Sequence, residues 1–194
     1  MNIVKMISDN VVVCVGEFVF TPEGAKNGVH IFPSLTPSNS VIEEVNDVPA
    51  DFVGGMYTYL SGVWTVTAHG LQLRAEDLAI RKMAKNAQIN EWRLAANLDS
   101  FTYLGKHISS DLLSLLDIYG ANGEILNHGA LPLSWQGGWK AKDNTYVPIA
   151  TVADWLKFYS AMYNQGSTNF AHSQALKAAL AAATTAEDID AIVW

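Results

Sequence analysis

A helical pattern running from about Leu71 to Leu98 constrains this chain more than any other feature. Leu73, Ile80, Ala84, Ala87, Leu94 and Leu98 recur at steps of three, four and seven residues, while Arg74, Asp77, Arg81, Lys85 and Gln88 take other faces. A helix of about 28 residues is about 42 Å long, more than a compact module of a 194-residue chain needs. The chain is therefore expected to carry a module on either side of it. Residues 1–69 form a small β-rich N-terminal module, 70–98 a connecting helix, and 99–194 an α+β C-terminal module. The pattern fits a connector or oligomerisation stem, and it fits a helix packed on its own domain equally well. Its heptads are irregular for a coiled coil.

The front module reads as short strands and turns. Ile, Val and Phe dominate residues 2–20, broken at Ser8-Asp9-Asn10 and at Gly16-Glu17, and Thr21-Pro22-Glu23-Gly24 carries turn chemistry. His30 to Ser40, with Pro33, Pro37 and Asn39, reads as extended loop before a strand at Val41–Val45. Met56–Tyr59 and Val63–Val66 around Leu60-Ser61-Gly62 predict a β-hairpin. Its Tyr and Trp side chains are expected to supply the module's core, since aromatics give most of the burial a small sheet can have.

Beyond the helix, Phe101 to Ile108 reads as a hairpin turning at Gly105. Ser109 or Ser110 is the expected cap of a helix through Leu112, Leu113, Leu115, Leu116 and Tyr119, with Asp111 near its positive end and Gly120 ending it. Asn122 to Pro132 has loop composition. Leu133 to Ile149 predicts a second aromatic hairpin, turned at Asp143-Asn144. Thr151 with Asp154 starts a helix whose apolar face is Trp155, Phe158, Tyr159, Met162 and Tyr163. Whether Gly166 ends that helix is left open by the sequence; a further helical run covers about Asn169 to Ala183. Thr184 with Glu187 caps a last turn through Ile189 and Ile192, and the closing Ile192-Val193-Trp194 is expected to be docked. The fold class is thus α+β, with a mostly helical C-terminal module carrying short hairpins.

Composition narrows function by exclusion. Nearly half the residues are apolar, 16% are charged and six are tryptophan, so a folded core is expected rather than disorder. The net charge of −7 is concentrated in front, where residues 1–70 hold seven acids against two lysines. With no basic run longer than Arg81-Lys82, nucleic acid is not an expected partner. The single cysteine, Cys14, sits in a valine run and reads as a small buried hydrophobe. The start, Met1 to Asp9, does not read as a signal peptide, and no run approaches the length of a membrane span, so folding in a cytoplasm without a membrane partner is expected.

No catalytic constellation is marked. His30, His69, His107, His128 and His172 are scattered outside metal-ligand spacings, and the glycine-rich and nucleophile-elbow motifs of hydrolases and nucleotide enzymes are missing. Asp99, Asp111, Asp117 and Glu124 invite a glycosidase reading, but capping and solvation account for each. The expectation is a protein with no catalytic residue, no metal and no cofactor. Trp135, Trp139, Tyr146, Trp155 and Trp194 read as the core of the C-terminal module, with one or two members left for an interface. Candidate interface residues are Ile80, Ala87, Leu94, Trp135, Trp139 and Trp194.

Three segments carry a resemblance. They are INEWRLAANLDSFTYLGKHISSD, WQGGWKAKDNTYVPI before a Thr-capped helix, and the ending ALKAALAAATTAEDIDAIVW. From about Asn90 to Trp194 the chain resembles an uncharacterised domain family found at the C-terminal end of tailed-bacteriophage tail and tail-fibre-associated proteins. The front, with DFVGGMYTYLSGVW, is similar to small N-terminal modules of tail-fibre assembly and tail accessory proteins. WQGGWKAKDN is a longer, more glycine-rich turn than the family pattern leads one to expect. The resemblance implies a structural component of a phage tail, at the baseplate or fibre attachment, folded in the host cytoplasm and then built into the virion. Partners would be other tail or fibre proteins and further copies of the chain, a trimer where the partner is a fibre. Two alternatives remain from the sequence: a fibre-assembly chaperone absent from the mature particle, and a glycan-binding or glycan-active receptor module.

Overall fold

The computed structural model describes residues 1–194, and the chain divides into two compact units, Met1–Ala79 and Ile80–Trp194. The class is α+β, as the sequence predicts. One helix, α1 (Ala68–Asp99), runs through the boundary: the part up to Ala79 belongs to the first unit and the rest to the second. Its 32 residues make it about 48 Å long.

The first unit is built on β1 (Asn2–Met6), an inner strand of a five-stranded antiparallel sheet. β2 (Val11–Gly16) and β6 (Ser40–Glu44) flank β1, and β7 (Tyr57–Leu60) and β8 (Val63–Val66) extend the sheet beyond β2 in the order β6-β1-β2-β7-β8. Neighbouring residues of β1 point to opposite faces, and both faces are covered. Ile3 joins Val12, Val45 and Tyr59 on one side, while Val4 joins Phe18, Ala25 and Leu35 on the other. A register shift between Val4 and Lys5, opposite Cys14 and Val12, leaves Val13 as an extra residue in β2. Cys14 is half-buried at the edge of the second cluster, and burial pushes its thiol pKa up.

A small meander of β3 (Val19–Thr21), β4 (Gly24–Asn27) and β5 (His30–Phe32) supplies that second cover. Here the sequence reading is corrected: His30–Phe32 is a strand, since Ala25, Lys26 and Asn27 pair with Phe32, Ile31 and His30. Ile31 and Phe32 are good strand formers, but a three-residue run stopped by Pro33 is too short to show as a strand by itself, and it is the β4 edge that pairs with it. The β7–β8 hairpin turns at Ser61-Gly62, both at positive φ, which is the turn that matches strand twist. Thr67 opens α1, its hydroxyl accepting from Gly70 N at 2.9 Å. Gly70 is needed there because a Cβ would lie 2.4 Å from the Met56 carbonyl oxygen.

In the second unit a head of hairpins and helix ends surrounds Trp155 and Phe158, both fully buried. The head contains β9 (Ser100–Tyr103) paired with β10 (Lys106–Ser109), α2 (Leu112–His128), β11 (Gly138–Lys140) paired with β12 (Tyr146–Pro148), and the first turns of α3 (Val152–Ala182). A full capping box of Thr151 and Asp154 starts α3. Several sequence expectations change. The cap of α2 is Asp111, which accepts from Ser114 N, while Ser109 donates to Asp111. The helix passes Gly120 and Gly123 and ends at His128, where Gly129 takes the left-handed conformation. Apolar spacing from Ile118 to Ile125, two turns apart and both buried, outweighs the glycines.

Gly166 likewise lies within α3, which runs unbroken for 31 residues. Beyond it, α3 pairs antiparallel with α1: Lys82 Nζ donates to the Ala181 carbonyl at 3.1 Å, and Asn169 Nδ2 to Asn97 Oδ1 at 2.9 Å. The last short helix, α4 (Ala186–Asp190), is capped by Thr185 with Asp188, one residue on from the Thr184–Glu187 pair expected. Ile189 and Ile192 are buried, and Lys85 Nζ donates to the Ile192 carbonyl at 3.2 Å.

Candidate assembly interface

Within the second unit, the packed side of α1 is set by Ile89, which is fully buried. Lys82, Lys85, Trp92 and Ala96 flank it on the same side and are half-buried. The Lys85 ammonium stands 5.6 Å from the Trp92 ring centre, so its stem covers apolar surface while its charge is satisfied. Lys85, which the sequence sets off the apolar face, is thus part of the packed side.

The opposite side of the helix is apolar and uncovered. Ile80 is 66% exposed, Met83 74% and Leu94 58%, with Ala87 exposed between them. Ile80, Met83, Ala87, Asn90 and Leu94 follow a three-four-three-four spacing, the seam pattern of a coiled coil, with Asn90 as its one polar member. Read with Leu73 and Ala84 included, the heptads look irregular; in the structure the regular part begins where the second unit begins. On α3, Leu156, Tyr163 and Phe170 repeat at seven residues and are exposed as well. The Phe170 ring carries the Arg93 guanidinium at 5.6 Å. Three sequence candidates, Ile80, Ala87 and Leu94, thus share one exposed face. Met83, Tyr163 and Phe170 were missed; the three-four spacing around Ile80 was the available signal for Met83.

The tryptophan candidates have different surroundings. Trp135 and Trp139 are half-buried against the head core, with Trp135 edge-on to Trp155 at 5.5 Å and Trp139 5.4 Å from Phe158. Trp135 Nε1 donates to the Ile149 carbonyl at 2.8 Å, joining the loop before β11 to the end of β12. Their rings are largely spent on the core, and their outer edges line an open groove of about 750 Å³ with Asp117, Lys140 and Tyr146. Trp194 is 39% exposed and meets the His172 ring edge-on at 4.6 Å.

Asp99, Asp111 and Asp143 are held ionised. The Ser109 hydroxyl, then Ser114, bring the Asp111 pKa down to about 2. Hydrogen bonds from Lys142 and Ser100 lower Asp99, and those from Lys106 and Thr145 hold Asp143 far below the ordinary carboxylate range. A proton-donating acid needs the reverse shift. None of these three carboxylates is shifted that way.

The model of a family described as a domain of unknown function, DUF4376, matches residues 80–193, and the chain belongs to that family. The match opens at Ile80, the residue at which the second compact unit opens. No curated protein matches the chain, and no solved structure does.

Proposed function

We propose that this protein is a structural component of a bacteriophage tail, at the baseplate or fibre attachment, and that it works by docking. The observation that carries the docking reading is the uncovered apolar seam Ile80–Met83–Ala87–Leu94 on a helix whose other side is already packed. Exposed apolar residues in heptad register lower their free energy by meeting another such helix. The simplest occupant is the same helix in further copies of the chain, and a trimer fits a fibre partner. The tail assignment itself rests on the resemblance of the segments around Asn90–Asp111, Trp135–Ile149 and Ala175–Trp194.

Quantitative mass spectrometry of purified phage particles, run beside the infected-cell lysate, tests the assignment. The chain is expected in the particle at a copy number matching tail symmetry. Its presence in the lysate alone, bound to fibre protein, would replace the structural role with that of an assembly chaperone.

A further inference from the structure

A second cavity of the Ile80–Trp194 unit, about 480 Å³ in volume, lies among α1, β9, α2 and α3. Phe101, Tyr119 and Tyr159 give it apolar walls, with the two tyrosine rings meeting edge-on at 6.5 Å. Its volume lies within the range typical of small-ligand sites.

Several polar groups of this cavity have hydrogen-bonding capacity left over. Ser110 is 3% exposed, and its Oγ is buried without a hydrogen-bond partner. Leaving a buried hydroxyl unpaired costs about 1–3 kcal/mol, so such a group at a cavity wall points to something that pairs with it. A fixed amide chain crosses the helix pair beside it. Gln165 Nε2 donates to Asn169 Oδ1 at 3.1 Å, and Asn169 Nδ2 donates to Asn97 Oδ1 at 2.9 Å. Both ends of that chain line the cavity, and its bonds leave the Asn97 amide N–H groups as donors. Arg93 is the only charged residue of the lining; it stacks on Phe170 and forms no ion pair. In a chain of net charge −7, this cavity is cationic.

We propose that the cavity binds an organic carboxylate with an aromatic-sized apolar body. Arg93 and the Asn97 amide donate to the carboxylate, Ser110 Oγ–H donates to it or to an adjacent carbonyl, and the rings of Phe101, Tyr119 and Tyr159 hold the body. The proposal stands on this unit's geometry alone and does not depend on the assembly reading. A free small acid and the end of a polypeptide chain present the same chemistry, and the test separates them.

The full chain is titrated calorimetrically with N-acetyl-L-phenylalanine, with its uncharged amide, and with the peptide Gly-Ser-Gly-Ser-Phe bearing a free C-terminus. The acid is expected to bind saturably, and the amide about tenfold or more weakly, the usual weight of a charge-assisted hydrogen bond. Arg93→Gln is expected to abolish the preference for acid over amide. Ser110→Ala is expected to weaken the acid several-fold while leaving the melting temperature unchanged or higher, because it deletes an unpaired buried hydroxyl. That variant keeps the test decisive should Arg93→Gln unfold. Tighter binding of the peptide than of the acid assigns the site to polypeptide ends, and the reverse order assigns it to a free small molecule. No saturable binding of either carboxylate, or equal binding of acid and amide by the wild-type chain, overturns the proposal.

Discussion

Ile80 and Ile89 stand about two and a half turns apart on α1, and so on opposite sides of it; Ile89 has no exposed surface and Ile80 is 66% exposed. The same side chain therefore does two different jobs. Ile89→Ala removes packed methyl groups and is expected to destabilise the chain by about 2–5 kcal/mol, read by chemical denaturation. Ile80→Asp with Leu94→Asp is expected to leave the fold within about 0.5 kcal/mol per site, as surface changes do, and to abolish the self-association proposed for this face. Gln88→Glu, at an exposed position off the seam, is the matching control. Light scattering showing the same oligomer for the double variant as for the wild type would remove α1 as the assembly stem.

Acid should weaken the head through Asp111. Its folded pKa of about 2 lies below the ordinary carboxylate value of 3.8, chiefly because Ser109 donates to it and Ser114 follows. A depressed carboxylate contributes stability that is fully present above about pH 4 and is lost as pH falls toward 2. Asp111→Asn keeps a capping oxygen and removes the titration. The stability of this variant is expected to fall less steeply between pH 4 and pH 2, the slope changing by about one proton at most. Urea midpoints measured across that range check this; parallel curves for the two proteins would refute it.

These two elements also show where local pattern speaks and where it does not. Apolar alternation and turn residues are local, so the β7–β8 and β9–β10 hairpins, the α1 span and the Thr151 cap could be read from the chain directly. Strand β5 could not, because His30–Phe32 is only three residues long before Pro33 and its place as a strand is fixed by pairing with Ala25–Asn27. Gly120 read as a stop and Gly166 left its helix undecided, yet tertiary packing of Ile118, Ile125 and Leu180 keeps both helices running. The seam of α1 was half-readable: heptad spacing picked out Ile80, Ala87 and Leu94, but which side of the helix is packed depends on Ile89 meeting residues remote in sequence. Ser110 gave no sequence signal at all beyond its nearness to a helix start.

Tyr57 ties the start of α1 to the sheet of the first unit. Its hydroxyl donates to Asp51 Oδ1 and accepts from Arg74 Nη2, while Arg74 Nε donates to Asp51 Oδ2 at 2.9 Å. The Tyr57 hydrogen bond, ahead of Arg74, holds the Asp51 pKa below its ordinary value. Tyr57→Phe keeps the ring against Phe52 and Trp64 and deletes only the hydroxyl. The expected loss is about 0.5–1.5 kcal/mol, the usual net weight of a hydrogen bond, with the aromatic circular dichroism of the sheet retained. A loss of several kcal/mol accompanied by a changed aromatic spectrum would mean that the hydroxyl positions the ring itself.

Gly120 offers the sharpest test of the α2 geometry, because the two readings of that glycine predict opposite signs. Within a continuous helix it is exposed, and a Cβ added there meets nothing within 4 Å. Gly120→Ala then removes backbone freedom from the unfolded chain without strain in the folded one, and stabilises by about 0.5–1 kcal/mol. For a chain of this size that is a rise of a few degrees in melting temperature, by about 2–4 °C per kcal/mol. Were Gly120 instead the left-handed end of a shorter helix, alanine would be forced to positive φ and the melting temperature would fall. Gly129, which does take that conformation at φ 64, supplies the internal reference: Gly129→Ala is expected to lower the melting temperature in the same protein in which Gly120→Ala raises it.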